Sequence, residues 1–323
     1  MITIEKYNDK LLHIWDDFIS ISSNGTIFHM QKFLNYHIDR KFNDHSLMFY
    51  YNKKLICVLP AVVQNNTLHS HPGASFGGLV VGPNVSFNSV YKIFKELCAY
   101  CKKRFQSIVI INTPDIYKKQ QDDNIKYLLS WNNFMPFENY ISHYTKIKGG
   151  YSLSSLLHNR KKRYIKNLIK NKTFNIKSSE NFDLFFPILK ASKKKFKSKP
   201  THSIEELQKL KCLFPDEINL FLSYQNGVIC GGTLFLYTNQ SSCLIFYNVV
   251  KEEYKKTQLA SLQLFSCMKE AYKNNKTIID FGVSHYPENK NPLEPKLSLI
   301  KFKEQFGSSS VLRTVYKKDF NEK

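Results

Sequence analysis

Twice along this chain a helical run feeds directly into a short apolar strand. Residues 90–104 carry apolar positions at helical spacing and lead into 107–112, whose Ile-Val-Ile-Ile core reads as a buried strand; residues 259–274 lead in the same way into 277–281. What precedes each pair is also alike. The first half offers a strand at 2–7, helical patterns at 10–19 and 31–38, and β-rich runs at 46–51 and 55–63 around the turn Asn52-Lys53-Lys54, with a further turn at Gln64-Asn65-Asn66. The second half offers a long basic helix at 153–170, a helix at 182–193, a hairpin from 218–224 with 228–237, and a strand at 243–250. The likeness is one of element order, not of residues, and it predicts an internal duplication. The expectation is an α/β (α+β) fold with domains over 1–148 and 149–323. Each would hold a mixed, mostly antiparallel sheet flanked by helices, the break would fall at Gly149-Gly150, and the pair would enclose a cleft.

The chain is long enough for two such cores, with 323 residues of which 42% are apolar. No run approaches the roughly 18–20 apolar residues that span a bilayer, and Met1-Ile2-Thr3-Ile4-Glu5-Lys6 lacks the basic-then-apolar order of a secretory signal, so a soluble, cytoplasmic protein is expected. The seven cysteines are an odd number scattered through apolar segments, as reduced core thiols are. Cys98 and Cys101 form a lone C-x-x-C inside a helical pattern; with no second ligand pair at matching spacing, helix packing is expected and no metal.

A net charge of +21 points to anionic partners. Of the 47 basic residues, however, only Arg40, Arg104, Arg160, Arg163 and Arg313 carry the planar guanidinium that suits bidentate phosphate recognition, which argues against sequence-specific reading of nucleic acid. The lysine excess accompanies many Asn, Ile, Phe and Tyr residues and so also fits a coding bias. The densest basic run, 193–200, reads as a solvated helix end and loop, or as a contact for a diphosphate or an acidic membrane face.

Three segments carry candidate chemistry. The first is His69-Ser70-His71-Pro72-Gly73-Ala74-Ser75-Phe76-Gly77-Gly78, where glycines permit a tight turn or bulge, or the close approach of a ligand to the backbone. The second is Asp280-Phe281-Gly282-Val283-Ser284-His285, at the end of an apolar strand where ligand crevices open in α/β sheets. His285 is a candidate proton acceptor there and Ser284 a hydrogen-bonding group, against the plainer reading of a structural loop histidine. No glycine-rich nucleotide loop accompanies Asp-Phe-Gly, so it is not a kinase motif. The third is Lys301-Phe302-Lys303-Glu304-Gln305-Phe306-Gly307, read as a helix over 296–305 capped by Gly307, with Phe302 and Phe306 four apart facing a core.

Phe-Gly-Gly in the first half, Asp-Phe-Gly-x-Ser in the second, Asn291-Pro292, and the closing Phe-Lys-x-x-Phe-Gly together resemble the Fem-type and related GNAT-like acyltransferases, over nearly the whole chain. The resemblance implies two GNAT-like domains and transfer of an acyl or aminoacyl group from a carrier to an amine of a cell-wall peptide, nucleotide sugar or similar precursor. It places Lys303 at the position linked to transition-state stabilisation in the aminoacyl-transferring branch, and His285, Ser284 and Asp280 are expected beside it as catalytic residues. Substrate binding is expected of Ser75, Phe76, Gly77, Gly78, Tyr247, Asn248 and Phe302. Donor binding falls to Lys255, Lys256, Thr257 and Gln258, and to Arg160 and Arg163 in the basic helix. The departure is the donor loop: Tyr254-Lys255-Lys256-Thr257-Gln258-Leu259-Ala260 has no glycine where acyl-CoA sites of this fold carry them. The long inserted helical hairpin of many peptidoglycan-bridge members is missing as well.

The expected function is therefore N-acyl transfer, with acetyl-CoA or another acyl-CoA as donor and an amino sugar, nucleotide sugar or lipid-linked envelope precursor as acceptor. Two alternatives stay open: aminoacyl-tRNA as donor to a peptidoglycan precursor, and a non-catalytic GNAT-like module that binds an anionic intermediate. Peripheral contact with the inner face of an anionic membrane fits any of them.

Overall fold

The structure is a computed structural model that describes residues 1–147, 152–194, 198–286 and 289–320. The Gly149-Gly150 break, the middle of the basic run at 195–197, and Pro287-Glu288 lie outside the described residues. The chain divides into two compact units, Met1–Tyr140 with Leu312–Lys323, and Ile141–Val311. The division differs from a cut at 148/149. It falls inside β8 (Met135–Lys146) and β14 (Ser309–Asp319), two strands the sequence reading did not foresee, and the second of them returns the C-terminus to the first unit.

In unit 1, β1 (Ile2–Lys6), β2 (Leu47–Tyr51), β3 (Lys54–Leu59) and β6 (Val80–Val81) form an antiparallel sheet, with α1 (Leu12–Ile21) and the short α2 (Gln31–Leu34) between the first two strands. The expected strand at 55–63 is broken at Pro60, after which the chain forms the hairpin of β4 (Val62–Gln64) and β5 (Thr67–His69). From β5 the chain passes through α3 (Phe87–Lys102) to β7 (Ser107–Ile111), which runs parallel to β5 over three residue pairs, Thr67↔Ser107 to His69↔Val109. Antiparallel neighbours need only a turn, whereas this parallel pair needs a helical crossover. α3 buries Val90, Ile93, Phe94, Leu97 and Cys101, and α4 (Asn124–Trp131) buries Ile125, Leu128 and Leu129. Cys98 packs against the same core, and burial pushes both thiols of the C-x-x-C up.

Unit 2 begins within β8, and its first helix is α5 (Asn159–Lys170), whose start is later than expected because 153–156 form a separate 3-10 turn. Then come β9 (Asn175–Ser179), α6 (Phe182–Lys194), α7 (Ile204–Leu213), β10 (Ile218–Gln225), β11 (Val228–Tyr237), β12 (Ser242–Val250), α8 (Leu259–Lys273), β13 (Ile278–Val283) and α9 (Leu297–Glu304). The strands order as β8-β13-β12-β11-β10-β9, antiparallel except for β12 with β13. Two glycines show which helix covers which face. A Cβ on Gly231 would press on the Gln263 side chain of α8, and one on Gly232 would press on Phe185 of α6. Alternation therefore puts α8 on one face of the sheet and α6 on the other.

Candidate functional site in unit 2

The parallel pair β12 and β13 is the starting point. The two strands pair for only three residues, Ser242↔Ile278, Cys243↔Ile279 and Leu244↔Asp280, and both then continue without pairing to each other, to Val250 and Val283. The parting coincides with a bulge. Opposite β11, Leu234 faces Tyr247 and Phe235 faces Ile245, so Phe246 is the extra residue that bends β12. A wedge thus opens at the carboxyl ends of two parallel strands, where α/β sheets take ligands.

Helix α8 starts at the same end. The 3-10 turn Glu252–Thr257 carries the chain from β12 to Gln258, which takes the left-handed conformation (φ 65°) and caps α8 with no side-chain bond to its amides. Asn248 ties strand to helix: its Nδ2 donates to Ala260 O at 3.1 Å and its Oδ1 accepts from Thr233 Oγ1 at 2.8 Å. Beside this uncapped terminus lies a buried cation of the basic helix, one that the sequence reading did not assign to donor binding alongside Arg160 and Arg163. Lys161 of α5 donates from Nζ to Gln258 Oε1 and Ser261 Oγ, both at 2.8 Å, with the Phe302 ring centroid 5.0 Å away. Burial, reinforced by neighbouring Arg160, pulls its ammonium below the usual lysine range. A signal did exist, because Lys161, Ile165 and Leu168 share one helical stripe, which places this lysine on the inward face.

On the opposite face of the sheet, Tyr247 projects from β12 beside the wedge. Its hydroxyl lies 2.8 Å from Nδ1 of His202, a buried residue in the segment before α7, and the His202 ring packs on Phe246 at 5.0 Å. His202 was not singled out from the sequence. Nothing local marks it, and only the fold brings it to Tyr247.

The four residues expected to do chemistry converge on the end of β13, but each is engaged in holding that end together, Lys303 and Ser284 with one another and Asp280 and His285 with other residues. Lys303 is buried on α9 and donates to Gly282 O (2.7 Å), Val283 O (2.9 Å) and Ser284 Oγ (2.8 Å). Asp280 is fully buried; its Oδ1 accepts from Ser142 Oγ and from the Gly282 amide, both at 2.7 Å, which shapes the left-handed turn at Gly282. His285 accepts at Nε2 from the Ile141 amide (2.8 Å) and donates from Nδ1 to Leu293 O (2.7 Å). Its ring braces the loop that follows β13, in place of the free proton acceptor the sequence suggested. A second missed histidine lies close by: His143 of β8 is buried, and its Nδ1 has no hydrogen-bond partner among the described residues. Burial, and Lys303 after it, lowers its pKa.

No protein-family model matches this chain, and no curated protein matches its sequence. Solved structures do. FemX superposes with a TM-score of 0.71 over 97% of this chain and 96% of its own, at 12% identity. L-PGS from Bacillus licheniformis gives 0.60 over 99% and 94%, at 10% identity, and a tandem GNAT protein from the clavulanic acid biosynthesis pathway gives 0.57 over the full length of both, at 7% identity. The chain has the tandem GNAT fold.

The remaining expected residues lie in four places. Lys255 pairs with Glu252 at 2.5 Å, Lys256 is exposed, and the Thr257 hydroxyl donates to Tyr254 O, all in the turn leading to α8. Arg160 and Arg163 are exposed on α5 and lie over the Tyr164 ring. Phe302 packs edge-on against Phe306; α9 stops at Glu304 with Gln305 as its C-cap, and Gly307 (φ 68°) turns the chain beyond that cap instead of forming it as expected. Ser75, Phe76, Gly77 and Gly78 belong to unit 1, and two of them are tightly packed there. Phe76 is wholly buried among Phe28, His29 and Tyr117, and a Cβ on Gly77 would lie 2.6 Å from Ser70 O.

Proposed function

We propose that the chain is an N-acyltransferase that moves an acyl group, acetyl in the simplest case, from an acyl-CoA thioester to the amine of an envelope precursor such as an amino sugar or nucleotide sugar. The observation that carries this reading is the wedge between β12 and β13, with the uncapped N-terminus of α8 at its open end. Helix amides at an N-terminus attract phosphate. Lys161 adds a fixed cation there, and Lys255, Lys256 and Thr257 lie in the adjoining turn. The donor's diphosphate would sit at that terminus with its thioester reaching into the wedge.

The reaction needs no covalent enzyme intermediate. The amine nitrogen attacks the thioester carbon, a C–N bond forms, the C–S bond breaks, and the amine proton leaves as the thiolate departs. The backbone of β12 released from β13 beyond Leu244 offers donors to the developing oxyanion. Tyr247, hydrogen bonded to His202, stands on the face opposite α8, the side left for the amine, and is assigned to take its proton while passing its own hydroxyl proton to His202 Nδ1. Lys303 is assigned a positioning role, holding the end of β13 through its bonds to residues 282–284.

A second donor is favoured by one feature. The turn into α8 lacks the glycines that let a pyrophosphate approach closely, while α5 exposes Arg160 and Arg163 as an RNA-binding helix would. Melting temperature separates the two. A ligand at a hundredfold excess over its Kd stabilises the folded state by about 2.7 kcal/mol. The reading expects acetyl-CoA to raise the melting temperature and Lys161→Met to cut that rise by about half or more. A rise with tRNA alone would transfer the proposal to aminoacyl donors, and no response to either would leave a non-catalytic binding module.

A further inference from the structure

Unit 1 exposes a row of aromatic rings that its own core does not use. On α4, Tyr127 and Trp131 lie four residues apart and stack nearly parallel, 6.3 Å between centroids at 12°. Phe87, at the start of α3, extends the row with its ring 5.9 Å from Tyr127. All are open to solvent: Trp131 is 62% exposed, Tyr127 54% and Phe87 45%. Tyr91, also exposed, follows Phe87 on the same stripe of α3, and Lys95 continues that stripe one turn on. Large rings held together in water mark a surface that something covers.

The covering partner can be chosen by charge and ring type. A chain of net charge +21 repels a second copy of itself, whereas an anionic surface attracts it. Lys95 stands exposed on the stripe of α3 that carries Phe87 and Tyr91, and Lys92, also exposed, holds its ammonium 6.0 Å from the Tyr51 ring. The nearby acids Asp115 and Asp123 are paired, Asp115 with Lys118 and Lys126 and Asp123 with Lys126, so they offer less net repulsion to an anion. Tryptophan and tyrosine, with apolar bodies and polar tips, favour the boundary between lipid and water. We propose that the Phe87–Tyr127–Trp131 row is a docking surface for an anionic lipid bilayer, with the rings entering the headgroup layer and the lysines facing acidic lipid.

The two tryptophans make the test direct, because Trp15 is fully buried while Trp131 is exposed. The full chain is mixed with phosphatidylcholine vesicles or with vesicles containing phosphatidylglycerol, and Trp emission and co-sedimentation are followed as salt is raised. The expected result is a blue shift with the anionic vesicles only, lost on replacing Trp131 by tyrosine, and a drop of at least about tenfold in vesicle partitioning for Tyr127→Ser/Trp131→Ser. Because both side chains lie on the surface, that variant should melt as the wild type does. Equal partitioning of wild type and variant would show attachment by charge alone and overturn the proposal. So would a blue shift that appears without lipid as protein concentration rises, which would make a second copy the partner. Absence of any shift with anionic vesicles would also refute it.

Discussion

Acidification should weaken unit 1 through one buried histidine, and the size of the effect follows from its contacts. His29 is fully buried; its Nδ1 accepts from the Thr26 amide at 3.0 Å and its Nε2 lies 3.0 Å from Gly77 O. A proton on Nδ1 would face the Thr26 N–H, so the folded state holds the ring neutral. Burial accordingly lowers the His29 pKa to about 4, against 6.5 for an unburied histidine. Above pH 6.5 neither folded nor unfolded chain binds this proton; between 6.5 and 4 the unfolded chain binds it and the folded one does not; below 4 both do. Stability is therefore lost as pH falls through this window. At about 1.36 kcal/mol per pH unit, the loss is about 2 kcal/mol at pH 5 and levels off near about 3 kcal/mol.

The assay is urea unfolding at pH 8, 6 and 5, followed by the emission of Trp15, whose Nε1 donates to His29 O at 2.7 Å. His71 is also buried and held near pKa 4, so wild type carries both effects. Comparing the pH dependence of wild type with that of His29→Gln isolates the first. Only the slope matters, so a variant of lower absolute stability still reads. A slope unchanged by the substitution would refute the reasoning.

Gly77→Ala should lower stability by about 1–3 kcal/mol in the same unfolding assay, because its Cβ would overlap the Ser70 carbonyl and the backbone must shift. Lys303→Ala should lower stability by about 3 kcal/mol or more by stranding three acceptors at the end of β13, so a loss of activity in that variant must be judged against its melting temperature. Lys161→Met should stay within about 1 kcal/mol of wild type, since Gln258 Oε1 and Ser261 Oγ lie 3.2 Å apart and satisfy one another. The same variant should weaken acetyl-CoA binding at least about tenfold, as calorimetry would show. Tyr247→Phe should leave folding intact and lower kcat for acyl transfer at least about a hundredfold with little change in the KM for acetyl-CoA, as steady-state kinetics would show.

The element order was legible because helices and strands that build one core advertise it by period. α3 and α8 carry their buried residues at helical spacing, and β7 and β13 are short apolar runs ending in turns. β9, β8 and β14 were not legible. β9 is the edge strand of unit 2 and alternates too weakly, burial being slight along Asn175–Ser179, while β8 and β14 mix polar and apolar residues along their lengths. The candidate site divides the same way. Lys303, Asp280 and Ser284 were found through motifs contiguous in sequence, whereas the contact of His202 with Tyr247 joins residues 45 positions apart and exists only once the sheet has formed.

The two helical crossovers also show why one end of one helix is a candidate site and its counterpart is not. β5–α3–β7 and β12–α8–β13 share a design, each with a parallel pair three residues long. At α3 the chain closes its own terminus: Ser86 accepts from the Ser89 amide at 3.3 Å, as an N-cap serine does. At α8 the cap is a glutamine whose side chain is turned instead to the Lys161 ammonium. A cation beside a helix N-terminus opposes the helix dipole and destabilises the empty site. Such an arrangement is relieved by an anion, which would interact favourably with the amides and the ammonium together. That difference between two otherwise similar crossovers is what favours α8 over α3 as the place for the proposed donor's phosphates.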